Sequence, residues 1–344
     1  MLPQNTSQNS AETCQRDRNQ CVRIENCLSP TVCVRSGVPQ GSVLGPILFI
    51  LYINDVTDIL VDDVSCKLYA DDLKLYCPIV PTLGFSESLQ TSLDNLCDWS
   101  LKWQLPINVD KSFFVTISRN NICNCVHSYR ILCSLLTRRF SVDDLGIAYD
   151  CNLCFDNYVN NIASSAKAKV GLLFRSFKTR DPALLKRAYV TYIRPKLEYA
   201  SNLWNPFHKT TIAVLENVQR YFTRRIPSLS IFSYEERLAM LNLDTLEKRR
   251  LKSDLVLYYK ILHGLSSIPA SAFDTYNTCS VSRSKSSLLR KNIAGTQACY
   301  FSFFNRAVDC WNVLPSSLTD ASSLSVFRSR LDMTDLSHYC TVLA

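Results

Sequence analysis

Glycine, proline, histidine and long apolar runs are all scarce in this sequence, and each shortage excludes a class of protein. The chain has 8 Gly and 13 Pro among 344 residues, which rules out collagen-like and Gly/Pro-rich low-complexity types. Its longest apolar run, Val43 to Ile53, contains Gly45, Pro46 and Tyr52 and falls well short of the ~18 residues that span a bilayer. No basic segment followed by an apolar one opens the chain, so nothing points to secretion, and an intracellular, reducing compartment is expected. The 16 Cys are too sparse for a disulfide scaffold, which exceeds ~8% in far shorter chains. The four histidines, His127, His208, His263 and His338, form no evident cluster. No Ser-His-Asp arrangement or phosphate-cradling glycine loop can be read. What is present, 47% hydrophobic and 20% charged residues, is globular. The length allows one large domain or two ordinary ones, since single cores rarely grow past ~250–300 residues.

The net charge of +8 averages two unlike regions. Residues 1–120 carry 9 Lys/Arg against 13 Asp/Glu, whereas residues 167–260 carry 19 against 8. An acidic first third followed by a basic helical stretch suggests a metal or catalytic zone and a polyanion track. The plainer explanation of the basic run is a solvated helix face with mixed signs.

Residues 1–20 are polar, with few aliphatics, and read as a disordered leader. Val22 and Ile24, then Val32 and Val34, flank Ser29-Pro30 as a strand-turn-strand. A glycine-punctuated loop, Gly37-Val38-Pro39-Gln40-Gly41-Ser42, leads to Pro46 in the first turn of an apolar helix expected to reach about Leu60. Val64, Cys66 and Leu68 alternate, as do Leu73, Leu75 and Cys77, which predicts a hairpin with Asp71 and Asp72 at its tip. Ser86 can cap a helix whose apolar positions are Leu89, Leu93, Leu96 and Trp103. A strand is expected over 113–117. Beyond about residue 154 the pattern is helical, with Phe155, Tyr158, Val159, Ile162, Ala166, Val170, Leu173, Phe174 and Phe177 on one stripe. A helix from Pro182 to about Trp204 must kink or break at Pro195. Further helices are predicted near 211–225, 234–241 and 244–263, with an aromatic helical patch from Tyr300 to Trp311. A mixed sheet region followed by a helical one is an α+β layout.

The sharpest local feature is Tyr69-Ala70-Asp71-Asp72. Adjacent carboxylates point to opposite sides of a strand, but in a tight turn one or both can reach a hard cation. Mg²⁺ is usually held by one or two carboxylates plus substrate phosphates, and two such ions can activate a hydroxyl and stabilise a leaving pyrophosphate. An isolated Asp-Asp would be read as a solvated turn.

The flanking residues change that reading. Gly37 to Pro46, the helix ending Tyr52-Ile53-Asn54-Asp55, and Tyr69 to Asp72 resemble motifs B and C of a reverse transcriptase. More narrowly, they resemble those of non-LTR (LINE-type, Jockey-like) retrotransposons. Residues 99–111 (WSLKWQLPINVDK) are similar to the family's motif D, and Asp144-Leu145-Gly146 to its next strand. Residues 194–200 (RPKLEYA), 204–206 (WNP) and 215–220 (LENVQR) are similar to the helical region beyond the palm, and 311–315 (WNVLP) to the family's closing segment. The resemblance implies a partial right-hand polymerase palm followed by a mainly helical thumb. It implies that Asp71 binds catalytic Mg²⁺ in a two-ion site and that Asp72 assists there. It places Gln40, Gly41 and Ser42 beside nucleotide and template, and gives Lys111 the role of protonating the departing pyrophosphate. It implies an RNA template, a DNA primer and dNTPs as partners, a cytoplasmic and nuclear location, and phosphate contacts from the basic helices.

One departure stands out. The family's motif A, which carries the first metal-binding Asp, is expected roughly sixty residues before the glycine loop, and only 36 residues precede Gly37. Asp17, in CQRDRNQC, has no apolar strand around it and is rejected as a substitute. The expectation is therefore an N-terminally truncated domain that does not polymerise alone, because positioned cations carry most of phosphoryl-transfer catalysis. Two alternatives are a catalytically dead remnant that binds nucleic acid and a chain left unstable by an unpaired sheet edge. A structural zinc held by Cys123, Cys125, His127, Cys151 and Cys154 has the right ligand types but no zinc-knuckle spacing. The expected organisation is a leader over 1–20, a palm portion with motifs B, C and D over 21–150, a helical thumb or connection over 151–263, a linker over 264–298 and a C-terminal helical segment over 299–344.

Overall fold

The computed structural model describes residues 19–34, 37–38, 41–79, 85–117, 128–275, 288–292 and 295–341. The described residues up to Phe114, with those of 122–139, form one compact unit, and those from Phe140 onward form the main part of a second.

The first unit opens with two nested ladders. β1 (Asn19–Gln20) pairs with β4 (Val32–Cys33), and β2 (Arg23–Ile24) with β3 (Cys27–Leu28), all antiparallel. The reversal falls at Glu25, at φ +54°, and not at the expected Ser29-Pro30. Ser29 instead continues the ladder, its N–H donating to the Val22 carbonyl at 2.9 Å and its Oγ accepting from the Val22 N–H at 2.8 Å. Helix α1 (Gly45–Tyr52) has Pro46 in its first turn and stops earlier than expected. A 3-10 helix, Asn54–Ile59, replaces its second half. With three residues per turn, Ile53, Val56 and Ile59 line up on one face, and all three enter one apolar cluster.

Strands β5 (Ser65–Tyr69) and β6 (Asp72–Tyr76) form the expected hairpin. Helix α2 (Glu87–Lys102) is capped by Ser86, whose Oγ accepts from the Leu89 N–H at 3.2 Å. β7 (Phe113–Phe114) is shorter than expected. The hairpin β8 (Arg130–Ile131) and β9 (Ser134–Leu135) follows, and β10 (Thr137–Arg138) runs parallel to β7. Among the described residues every strand has a single partner, so the mixed sheet read from the sequence appears as separate two-stranded ladders. The short strands bury their apolar side chains against α2 instead: Leu93 and Cys97 pack with Tyr129, Ile131 and Leu136.

The second unit begins with β11 (Ser141–Asp144) and β12 (Ile147–Asp150), joined through Leu145 and Gly146 at φ +50° and +80°. Two positive φ values give the turn whose twist matches the strands. Ile147 lies in the main helical core, so this hairpin packs with the helices of the second unit. Helix α3 (Asp156–Ser176) buries the predicted stripe from Tyr158 to Phe174, while Phe155 and Phe177 cap its two ends and are half-buried against the same core. The chain breaks beside Pro195 between α4 (Pro182–Tyr192) and α5 (Arg194–Glu198), and again at Ala200, at φ +49°, before α6 (Ser201–Trp204). Then come α7 (Lys209–Arg224), α8 (Tyr234–Leu241) and α9 (Leu246–Leu262). Leu246 of α9 joins the main core, while Leu255, Tyr258, Tyr259 and Ile261 join a second one.

That second core also takes in part of the expected linker. Ile268, Phe273 and Leu289 pack into it, and β13 (Asp274–Thr275) pairs with β14 (Leu289–Arg290). Isolated apolar residues among Ser and Thr are enough to dock these flanks. The short helices α10 (Gln297–Tyr300), α11 (Phe303–Arg306), α12 (Val308–Val313) and α13 (Ser316–Thr319) lead to α14 (Leu324–Asp332). Trp311, Phe327 and Leu331 complete the core.

Candidate active site

The β5–β6 hairpin closes on Tyr69 opposite Asp72, which leaves Ala70 and Asp71 as the two residues of the turn. Ala70 stands at φ +53°, a left-handed conformation costing a non-glycine residue roughly 1–2 kcal/mol. Asp71 and Asp72 are both exposed at this tip. Leu73 and Leu75 of β6 lean inward, where they meet Phe49 and Ile53 from α1 and its C-cap, Leu96 and Trp99 of α2, and Leu105 and Ile107 beyond it. One apolar cluster thus joins the helix after the glycine loop, the carboxylate hairpin and the segment leading to Lys111. The Trp99 indole N–H donates to Asp55 Oδ1 at 3.0 Å, and the Tyr52 hydroxyl donates to the Trp103 carbonyl at 2.6 Å.

This ordered assembly of glycine loop, apolar helix, carboxylate tip and tryptophan-bearing helix matches known proteins. The reverse transcriptase (RNA-dependent DNA polymerase) family profile matches residues 6–157. The RNA-directed DNA polymerase from mobile element jockey of Drosophila funebris is 27% identical over 214 residues, covering 60% of this chain and 23% of the relative. The probable RNA-directed DNA polymerase from transposon X-element of Drosophila melanogaster is 25% identical over 230 residues, 62% of this chain and 24% of that protein. An uncharacterized protein of Caenorhabditis elegans is 32% identical over 126 residues, 36% of this chain and 64% of its own length. The chain carries a LINE-type reverse-transcriptase domain. It aligns with about a quarter of the length of its jockey and X-element relatives.

Within the reverse-transcriptase domain, the sequence-predicted residues fall as follows. Gly41 is at φ +78°, and an added Cβ would meet nothing within 4 Å, so its backbone conformation is what calls for glycine here. The Ser42 hydroxyl accepts the Gly45 N–H at 2.9 Å and so helps start α1. Gln40 lies outside the described residues. Lys111 is exposed and ends a 3-10 turn, Val109–Lys111, which Asn108 caps by accepting the Lys111 N–H at 3.1 Å. Among the described residues no group of three or more acidic, histidine or cysteine side chains is placed to share an ion. Of the zinc candidates, Cys123, Cys125 and His127 lie outside the described residues. Cys151 and Cys154 sit in a turn held by Asp150, whose Oδ1 accepts from the Cys154 N–H at 2.8 Å.

The motif matches beyond the domain have structural partners that the sequence did not disclose. Glu198 pairs with Arg194 at 3.7 Å and with Arg249. Asn202 and Asn205 donate to the buried carboxylate of Asp254 at 2.8 and 3.3 Å, and Arg306 adds two bonds to it at 2.8 and 2.7 Å. Gln219 accepts from the Tyr189 hydroxyl at 3.0 Å and donates to the Asp244 carbonyl at 3.0 Å. Glu216 accepts from the Tyr234 hydroxyl and from the Leu246 N–H. Its carboxyl is held above the ordinary range by burial, against the lowering pull of the Tyr234 bond and of Arg250. Asn312 pairs in both directions with the Leu289 backbone, at 3.0 and 2.8 Å.

Proposed function

We propose that this reverse-transcriptase domain serves template-directed nucleotidyl transfer to a primer 3′-hydroxyl, with Asp71 and Asp72 as its metal-binding carboxylates. The observation that carries the reading is the hairpin tip, where Asp71 in the two-residue turn and Asp72 at the start of β6 are both exposed, braced from below by the cluster around Trp99. Their donor set fits Mg²⁺, a hard ion commonly held by one or two carboxylates together with substrate phosphates. When bound, such ions supply charge that activates the attacking hydroxyl and stabilises the departing pyrophosphate. Gly41 and Ser42, with Gln40, are proposed to border the nucleotide and template, and Lys111 to supply a proton to pyrophosphate. The first unit is proposed as palm and the helical unit as thumb, acting on an RNA template, a DNA primer and dNTPs within the cell. No helix among the described residues is long and apolar enough to cross a membrane.

A second reading, nucleic-acid binding without extension, is favoured by the cations of the helical unit, such as Lys167, Arg175 and Arg225, that form no ion pair among the described residues. One experiment separates the two. The full chain is given primed RNA, labelled dNTP and Mg²⁺, beside the Asp71→Asn variant. Incorporation that falls about 10²-fold or more on removing one positioned charge supports the catalytic assignment. Incorporation that survives the substitution refutes it. Salt-sensitive binding of the template with no incorporation decides for the second reading.

A further inference from the structure

Helix α1 carries no charge on any of its residues, and a helix that is apolar all round is normally buried all round. In the first unit only one side of α1 is covered. Gly45 is buried, and Phe49 and Ile53, each four residues further on, enter the cluster around Trp99. The opposite side faces out: Val43 is 88% exposed, Leu44 53%, Ile47 54%, Ile50 55% and Leu51 67%. Leu44, the N-cap, already has right-handed helical backbone, and its carbonyl accepts the Leu48 N–H at 2.9 Å. At 100° per residue, counted from Val43, these five side chains fall within an arc of about 120°. That spacing is the seam of a helix that packs against a second helix.

An exposed apolar face of this extent marks a contact surface, and three observations select its occupant. Residues 1–18 have Met1, Leu2 and Ala11 as their only apolar side chains apart from Pro3 and Cys14, a smaller apolar surface than the one to be covered. From Ser36 to Cys66 there is no Lys or Arg, and Asp55, Asp58, Asp62 and Asp63 are all acidic, which disfavours any phosphate-bearing surface, an anionic bilayer included. The face exposes on the order of 600 Å², so two copies joined through it would bury about 1,200 Å², the lower bound of stable specific interfaces.

We propose that the Val43–Leu51 face of α1 is a self-association surface that joins two copies of this chain in a two-fold, antiparallel dimer. A two-fold contact needs a patch complementary to itself, and an uncharged aliphatic seam meets that need. Charge sets the direction. Parallel helices would bring the four aspartates of one copy beside the four of the other. Antiparallel helices send the two groups to opposite ends, each toward the positive N-terminal end of the other copy's α1. The first turn of α1 has no acid of its own to occupy that end. With the axis beside Ile47, Val43 of one copy meets Leu51 of the other, and Leu44 meets Ile50. The dimer does not depend on the polymerase reading.

Sedimentation velocity of the full chain over a concentration series is expected to show a monomer–dimer equilibrium with Kd in the micromolar range, undiminished by added salt. Ile47→Glu places two carboxylates beside the axis and is expected to raise Kd about 10²-fold or more. Because Ile47 is more than half exposed, its circular dichroism should match the wild type. Val43→Lys and Leu51→Glu are each expected to weaken the dimer about tenfold, and Val43→Lys/Leu51→Glu to recover most of the loss, since each lysine then meets a glutamate of the other copy. Should Ile47→Glu fail to fold, these variants carry the test. Ile231→Glu, at a residue 85% exposed in the helical unit, is expected to leave Kd unchanged. A wild-type chain that stays monomeric at tens of micromolar, a dimer that survives Ile47→Glu, or an equal loss in Ile231→Glu overturns the proposal. A double variant no better than the single ones overturns the antiparallel pairing. A monomer that floats with phosphatidylcholine vesicles overturns the dimer and assigns the face to lipid.

Discussion

Replacing Asp254 by Asn tests the polar center of the helical unit. The Asp254 side chain is 1% exposed and that of Arg306 11%. The carboxylate accepts two bonds from Arg306 and one each from Asn202 and Asn205. Asparagine retains one acceptor oxygen, turns an NH₂ toward groups that are all donors, and leaves the Arg306 charge without its partner. Breaking one side of such a pair costs about 3–5 kcal/mol. In a unit of about 200 residues each kcal/mol moves the midpoint by ~2–4 °C, so thermal unfolding followed by circular dichroism should show a fall of about 6–20 °C. Arg306→Met alone strands the acid instead and should cost a similar amount. The double variant Asp254→Asn/Arg306→Met removes both charges and should lose clearly less than the two single losses combined, because contacting residues couple. A midpoint shift under about 2 °C for Asp254→Asn, or single losses that simply add, would refute the reasoning.

Two further perturbations follow from the geometry. Glu216, held above its ordinary 4.5 by burial, keeps its proton in the folded state at pH values where the unfolded chain has released it, so its contribution to stability falls as pH rises from about 4.5 through the raised value. Glu216→Gln keeps an acceptor for Tyr234 and Leu246, and its urea midpoint should gain on the wild type as pH rises through that window; a difference that does not vary with pH would count against this. Ala70→Gly relieves the left-handed backbone at the hairpin tip, and calorimetry should find the first unit stabilised by about 0.5–1 kcal/mol, whereas destabilisation would show that the turn is not strained.

Much of this architecture was written in hydrophobic periodicity. The stripe on α3 and the alternation on β5 and β6 both have regular spacing, and the structure buries the stripe and half-buries Leu73 and Leu75 of β6, while Leu68 of β5 stays exposed. What escaped lacks a periodic signature. The turn at Glu25 uses a residue with no special preference for positive φ, while Ser29-Pro30 offered the stronger turn chemistry. The shift from α-helix to 3-10 helix after Tyr52 follows from tertiary packing of Ile53, Val56 and Ile59. At the candidate site, Asp71 and Asp72 were legible because turn and carboxylates are adjacent in sequence. The Trp99–Asp55 bond spans 44 residues and has no local signal. The Asn202, Asn205, Asp254 and Arg306 network likewise joins residues tens of positions apart, although three of its four members were in or beside quoted motifs or the aromatic patch.

That network has a consequence for biosynthesis. Asp254 and Arg306 are separated by 52 residues, and Arg306 also reaches the Asn202 carbonyl, 104 residues earlier. At ~5–20 residues per second, several seconds pass on the ribosome between the synthesis of the acid and that of the base that neutralises it. During that interval α3 to α9 can collapse around their shared apolar stripe, but the pocket holding Asp254 stays open to water. A ribosome paused between these codons would therefore present a chain whose helices are formed and whose final closure is withheld, the state a chaperone or protease would meet first.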